Sequence, residues 1–165
     1  MTIRRYSLLL WIFIGTAAAH ADSLDVGVGW SLIDMADSQS IETGWDLQIG
    51  YEFLHSDDWS AGLQLQLTDS LTNDGNYDYA GAIQYSASGL YLMARPKDSW
   101  LHAKAGVVRG DYYTQNGKVD RSGYGAGIGV VMGSGGLTLH LLDYQHIVFD
   151  NDSFNLYTIS LLVMY

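Results

Sequence analysis

From Leu24 to its last residue the chain repeats one pattern: apolar residues alternate with small or polar ones at period two, in short runs separated by turn-forming residues. Period two is the signature of a β-strand whose two faces meet different surroundings. In the first run Leu24, Val26, Val28, Trp30 and Leu32 share a face, with Asp25, Gly27, Gly29 and Ser31 between them. Trp45, Leu47, Ile49, Tyr51 and Phe53 form the second such face, and Trp59, Ala61, Leu63, Leu65 and Leu67 the third. A fourth strand is expected over 84–94, where the phase is not readable. The fifth carries Leu101, Ala103, Ala105 and Val107 against His102, Lys104 and Gly106. In the sixth, Tyr124, Ala126, Ile128 and Val130 alternate with Gly123, Gly125, Gly127 and Gly129. The seventh starts Leu137, Leu139, Leu141 and then changes phase to Leu142, Tyr144, which predicts a β-bulge near Leu141 and Leu142. Tyr157, Ile159, Leu161, Val163 and Tyr165 make the eighth.

The first 21 residues do not share this period. Arg4 and Arg5 precede the apolar run Leu8 to Ile14, and small residues lead to Ala19-His20-Ala21. That order is a cleavable secretory signal peptide with Ala19 and Ala21 at the cleavage site. The run is about half the roughly 20 residues a spanning helix needs, which disfavours a retained anchor. A single domain over residues 22–165 is therefore expected. The chain holds no cysteine, so disulfides contribute nothing to that domain. Without Arg4 and Arg5 only six basic residues face eighteen acidic ones, a balance that argues against a nucleic-acid partner.

A secreted soluble barrel would show the same alternation with its apolar face inward. Its other face would then be solvated and rich in charge. Here the opposing positions are mostly Gly, Ser, Gln and Thr, which suit the cramped interior of an eight-stranded barrel. The glycines leave space for larger inward groups such as Gln64, Gln66, His102 and Lys104. Turned outward, Trp30, Trp45, Phe53, Trp59, Tyr124, Tyr157 and Tyr165 would form the aromatic girdles of a membrane barrel. The connectors alternate too: 34–42, 70–83, 110–121 and 149–153 read as longer or more polar, and 54–58, 95–99 and 133–136 as tight turns. The expected fold is all-β, an eight-stranded antiparallel up-and-down transmembrane β-barrel, with both termini on the periplasmic side.

Residues 157–165, Tyr-Thr-Ile-Ser-Leu-Leu-Val-Met-Tyr, resemble the terminal assembly signal of outer-membrane proteins, with Tyr in place of the commoner final Phe. Leu142-Asp143-Tyr144-Gln145-His146 followed by Phe149-Asp150-Asn151-Asp152 resembles the penultimate strand and last outer loop of OmpA-like and OmpX-like small outer-membrane barrels. Trp100-Leu101-His102-Ala103-Lys104-Ala105-Gly106 resembles a mid-barrel strand of that family. The resemblance implies a monomer in the outer membrane of a Gram-negative bacterium, in contact with lipid and lipopolysaccharide and inserted by the barrel assembly machinery. No peptidoglycan-binding segment accompanies the barrel in this sequence.

Chemistry-bearing residues are sparse. Asp46, Glu52, His102 and Lys104 fall on inward positions and could form a buried polar network, or line a narrow ion path. Small outer-membrane barrels include lipid A deacylases, but the His-x-Ser-Asn segment of that family is missing: His140 is followed by Leu141-Leu142 and His146 by Ile147-Val148. Asp74, Asn76 and Asp78 have the opening spacing of a calcium loop, yet Tyr79 and Tyr85 stand where its Gly and Glu belong. The glycine run 123–129 lacks the Lys and helix of a phosphate loop, and neither His spacing nor Cys offers a metal motif. No catalytic residue, metal or cofactor is expected. The sequence thus points to a non-enzymatic barrel with a structural or surface role through acidic outer loops. A lipid A-modifying enzyme and a narrow channel remain the alternatives.

Overall fold

The protein is described by a computed structural model covering residues 23–35, 41–71, 85–114, 117–134, 137–150 and 152–164. The signal-peptide reading, the 74–78 spacing and Tyr165 fall outside these residues. Eight strands follow in chain order: β1 (Ser23–Met35), β2 (Ile41–His55), β3 (Trp59–Ser70), β4 (Tyr85–Pro96), β5 (Leu101–Thr114), β6 (Gly117–Ser134), β7 (Leu137–Phe149) and β8 (Asp152–Met164). Each pairs antiparallel with its neighbour, and β8 returns to β1 in a register running from Asp25↔Met164 to Met35↔Phe154. The sheet is a closed barrel, so its ladders leave no free edge, as lipid requires.

Alternation sets the faces. On β3 every residue from Ser60 to Ser70 obeys it, with Ser60, Gly62, Gln64, Gln66, Thr68 and Ser70 buried in the lumen. The bulge expected near Leu141 and Leu142 is present: β8 pairs His140 with Ser160 and next Asp143 with Thr158. Leu141 and Leu142 both lie exposed on the outer surface there. This shift has a consequence for chemistry, because His140 and Asp143 are an odd number of residues apart and only the bulge turns both inward. A second irregularity, after Glu52 in β2, opposes Leu54 to Ala61 and leaves Phe53 and Leu54 both exposed.

Three expectations are corrected. The fourth strand extends to Pro96, and its phase places Tyr85, Gly89, Tyr91 and Met93 inward. Large apolar residues lie on both of its faces there, which is why the period is blurred in the sequence. Much of 110–121 is strand, since β5 and β6 continue as a hairpin through Gly110↔Arg121, Asp111↔Asp120 and Thr114↔Gly117. Strands that have left the apolar layer need no apolar face, so this extension reads as a polar loop. The segment 149–153, expected to be a longer or more polar connector, is largely strand, with β7 ending at Phe149 and β8 starting at Asp152.

The outer surface is apolar in a belt. Val28, Leu90, Leu92, Val107, Ile128, Ile159 and Leu161 are exposed on it. Phe53, Trp59 and Trp100 ring the end that carries the β2–β3 and β4–β5 turns, and Trp30, Trp45, Tyr124 and Tyr157 are exposed further up. On β3 the outward row runs from Trp59 to Asp69. At about 3.3 Å per residue and a tilt of ~40° this interval is roughly 25 Å tall, the thickness of an outer-membrane apolar band. The β4–β5 turn holds Asp98 at φ 61°, a left-handed conformation that Asp tolerates, and Ser99 N–H donates to Pro96 O at 3.1 Å.

Candidate functional site

The lumen is stacked in two halves. Towards the end of the barrel opposite the termini, Ile33, Tyr85, Tyr91, Val108, Ile147, Phe149, Phe154 and Leu156 form one apolar cluster. Phe149 and Phe154 meet edge to face with ring centroids 5.6 Å apart, and Tyr85 lies 5.0 Å from Phe154. These side chains, all nearly unexposed, close the barrel from wall to wall.

Below them lies a polar layer that bridges the lumen. Asp46 of β2 accepts hydrogen bonds from Gln48 Nε2 (2.6 Å), Gln66 Nε2 (2.8 Å) and Thr68 Oγ1 (2.7 Å). Gln64 Nε2 donates to Gln48 Oε1 at 3.0 Å. Lys104 Nζ of β5 donates to Gln64 Oε1 and Gln66 Oε1, both at 3.0 Å, and to Asp143 Oδ2 at 2.5 Å. Gln145 Nε2 completes the layer on Gln66 Oε1 at 2.9 Å, and the Tyr91 ring lies 5.0 Å from the ammonium. All three donors of Lys104 are thereby used. A buried charge is tolerable only with such partners.

The glycine ladder of β6 makes these contacts possible. His102 opposes Gly129, which opposes Asp143, and Lys104 opposes Gly127, which opposes Gln145. In each row a side chain of β5 reaches a side chain of β7 across a strand that has none. A Cβ on Gly129 would lie 2.8 Å from His102 Nε2. Gly125 gives the same room to Tyr91, whose ring a Cβ there would approach to 3.3 Å.

At the terminal end the lumen becomes charged. His102 and His140 face each other with ring centroids 5.0 Å apart. Asp143 Oδ1 lies 3.8 Å from His102 Nε2. One nitrogen or oxygen from each of the three residues falls within 4.8 Å of the others, and all three side chains are buried. Beside them a cavity of about 20 Å³, room for one water, is lined by Asp25, Glu52, Met93, Arg95, His102 and His140 among others. Arg95 Nη2 reaches Glu52 Oε1 at 3.5 Å.

Of the residues singled out in the sequence, Asp46, Lys104 and His102 are thus brought together, through Gln66 and Asp143. Glu52 is not part of that layer and faces Arg95 instead. Asp143, the partner of Lys104, was missed. Once the bulge is placed its inward phase follows, and that was the available signal. Tyr157, Ile159, Leu161 and Val163 form an exposed outward row on β8. His146 is exposed, with Nδ1 2.9 Å from Asn155 Oδ1.

A closed antiparallel barrel with an apolar girdled exterior and a filled polar interior defines a small outer-membrane β-barrel protein. Solved structures have the same fold. The N-terminal β-barrel domain of Pseudomonas aeruginosa OprF matches with a TM-score of 0.62 at 12% identity, over 88% of this chain and 98% of that one. OprG of the same organism matches at 0.59 and 14% identity, over 88% and 96%. Ail, the attachment invasion locus protein of Yersinia pestis, matches at 0.58 and 14% identity, over 88% and 100%. No protein-family model matches the chain, and no curated protein matches it.

Proposed function

We propose that this outer-membrane barrel is non-enzymatic and works through the acidic end opposite its termini, with a lumen closed to bulk passage. The observation that carries the reading is the contrast between a lumen spanned by side chains and a rim where acidic residues outnumber basic ones. Asp34, Glu42, Asp69, Asp111, Asp120, Asp150 and Asp152 lie at that end, against Arg109, Lys118 and Arg121. Arg109 is engaged with Asp120, its Nη2 2.5 Å from Oδ2. A surface of this sign favours cationic partners, or divalent cations that bridge it to lipopolysaccharide phosphates.

Ail was crystallised in complex with the heparin analogue sucrose octasulfate. A polyanion of that kind would be repelled by the acidic rim of this chain. The non-enzymatic reading is supported by His102 and His140, which are buried in the lumen, whereas His146 is the described histidine on the outer wall, where its Nδ1 meets Asn155 Oδ1. A lipid A-modifying enzyme would need its nucleophile and base on the lipid-facing wall. Within this reading the outward row of β8 is what the barrel assembly machinery would engage.

Three measurements test the proposal. Because the chain lacks cysteine, Asp120→Cys and Asp57→Cys each introduce a single thiol, one at each end. A membrane-impermeant maleimide should label position 120 on intact cells and position 57 only after the envelope is opened; the reverse pattern would overturn the orientation. Purified barrel in nanodiscs should bind oligolysine in a salt-sensitive way and ignore heparin, whereas heparin binding would overturn the acidic-surface reading. Altered lipid A on expression of the protein would overturn the non-enzymatic one.

A further inference from the structure

The cluster of His102, His140 and Asp143 is not explained by the polar layer above it. Lys104 takes Asp143 Oδ2, but Asp143 Oδ1, both ring nitrogens of His102 and Nδ1 of His140 are buried without any hydrogen-bond partner. Buried polar atoms are nearly always satisfied, and here one side chain after another, each with an unpartnered atom, offers an atom to the same point, all within 4.8 Å, as a ligand that accepts lone pairs from all three would require. Protons are a poor candidate. Two imidazolium rings 5.0 Å apart in a buried site would repel each other.

The charge of the lumen points the same way. Among the described residues its buried carboxylates are Asp25, Asp46, Glu52 and Asp143, beside the buried Lys104 and the partly exposed Arg95. Buried carboxylates thus outnumber the cations there, and Asp143 keeps Oδ1 clear of Lys104, which takes Oδ2. We propose that His102, His140 and Asp143 form a binding site for a borderline first-row divalent metal ion of the Zn²⁺ type, inside the terminal half of the barrel. Two imidazoles and one carboxylate are the ligands such ions prefer, whereas Ca²⁺ and Mg²⁺ require oxygen-rich shells.

The geometry fits after a small closure. Metal–ligand bonds of about 2.0–2.2 Å place tetrahedral donors roughly 3.4 Å apart, and here the donors already lie within 4.8 Å. The adjoining cavity of about 20 Å³ has room for one water, which would serve as the fourth ligand of a three-residue site. Arg95 and Val131 line both this cavity and the larger hollow beneath the turns near Trp59 and Trp100. An ion therefore approaches from the terminal end, past Arg95, and not through the apolar plug. Asp143 divides its two oxygens between Lys104 and the ion, so the ammonium orients the metal-facing oxygen.

The test uses the full protein extracted from membranes without a polyhistidine tag, freed of metal with chelator, and titrated with ZnCl₂ by calorimetry. One ion per barrel is expected. His102→Ala and His140→Ala should each lower the affinity by about tenfold or more, with heat-modifiable gel migration retained. Gly129→Ala should weaken binding through His102 alone. Co²⁺ in the wild-type protein should give the intense visible bands of a tetrahedral nitrogen and oxygen site. That last readout needs no variant to fold. Absence of those bands, or Zn²⁺ binding that survives the double His102→Ala/His140→Ala change, would overturn the proposal. Either outcome leaves the surface reading above untouched, because that reading rests on the other end of the barrel.

Discussion

The two halves of the lumen solve the same problem by opposite means. The distal half is filled by rings and branched chains, with Tyr85, Phe149 and Phe154 each 1% exposed or less, and owes its closure to packing. The terminal half is filled by amides and charges that hold one another through directed bonds from Asp46 across to Asp143. Apolar filling is tolerant of composition but sensitive to volume. Polar filling tolerates little change of composition, because each lost partner leaves another group buried and unmatched. One half is therefore a plug, and the other is a place where chemistry can be held.

The largest effect that would break this comparison is expected at Lys104. Lys104→Met keeps the volume but leaves Asp143 buried without its counter-charge, a loss of about 3–5 kcal/mol. Urea-dependent unfolding from lipid vesicles, followed by tryptophan fluorescence, measures it. A loss below ~1 kcal/mol would show that the polar half is held by volume alone.

Next comes Phe149→Ala in the plug, expected to cost about 3 kcal/mol through the cavity it opens. The same unfolding series checks it, and the double change with Lys104→Met should depart from additivity only by the coupling that Tyr91, which touches both sites, can carry. Strong non-additivity would merge the two halves into one cooperative unit.

Smaller effects are expected at the ends. Arg95 is partly exposed but faces the buried Glu52 at 3.5 Å, so Arg95→Ala should cost about 1–2 kcal/mol. It should however speed ion access to the terminal cavity, read as the rate of Co²⁺ uptake. Asp120→Asn, on the well-exposed pair with Arg109, should change stability by no more than about 0.5 kcal/mol, vanishing at high salt.

Much of this architecture was legible because membrane strands must obey alternation strictly. The outward rows of β1, β2, β3 and β8, the inward glycines of β6 and the bulge at Leu141 all follow from phase alone. Legibility failed where phase carries no contrast. In β4, Tyr91 and Met93 look inward while Leu90 and Leu92 look outward, so both faces read as apolar. Beyond the apolar belt, β5 and β6 continue as a polar hairpin that sequence alone does not distinguish from a loop.

Inward position was readable for Asp46, His102 and Lys104, but partnership was not. His102 meets Asp143 only because Gly129 between them has no side chain, and His140 joins them only because the bulge restores its phase. Such contacts depend on ladder register between strands about forty residues apart in the chain. No local spacing encodes that register, which is why a search for metal-ligand motifs passes over it.

The claim that binds these observations is that the barrel is filled from wall to wall. Single-channel recording in planar bilayers tests it most directly, with purified protein and symmetric KCl. The filled lumen predicts no current steps above the bare-bilayer baseline. Discrete steps that depend on the wild-type protein, and that Gly125→Val or another lumen-filling change abolishes, would contradict it.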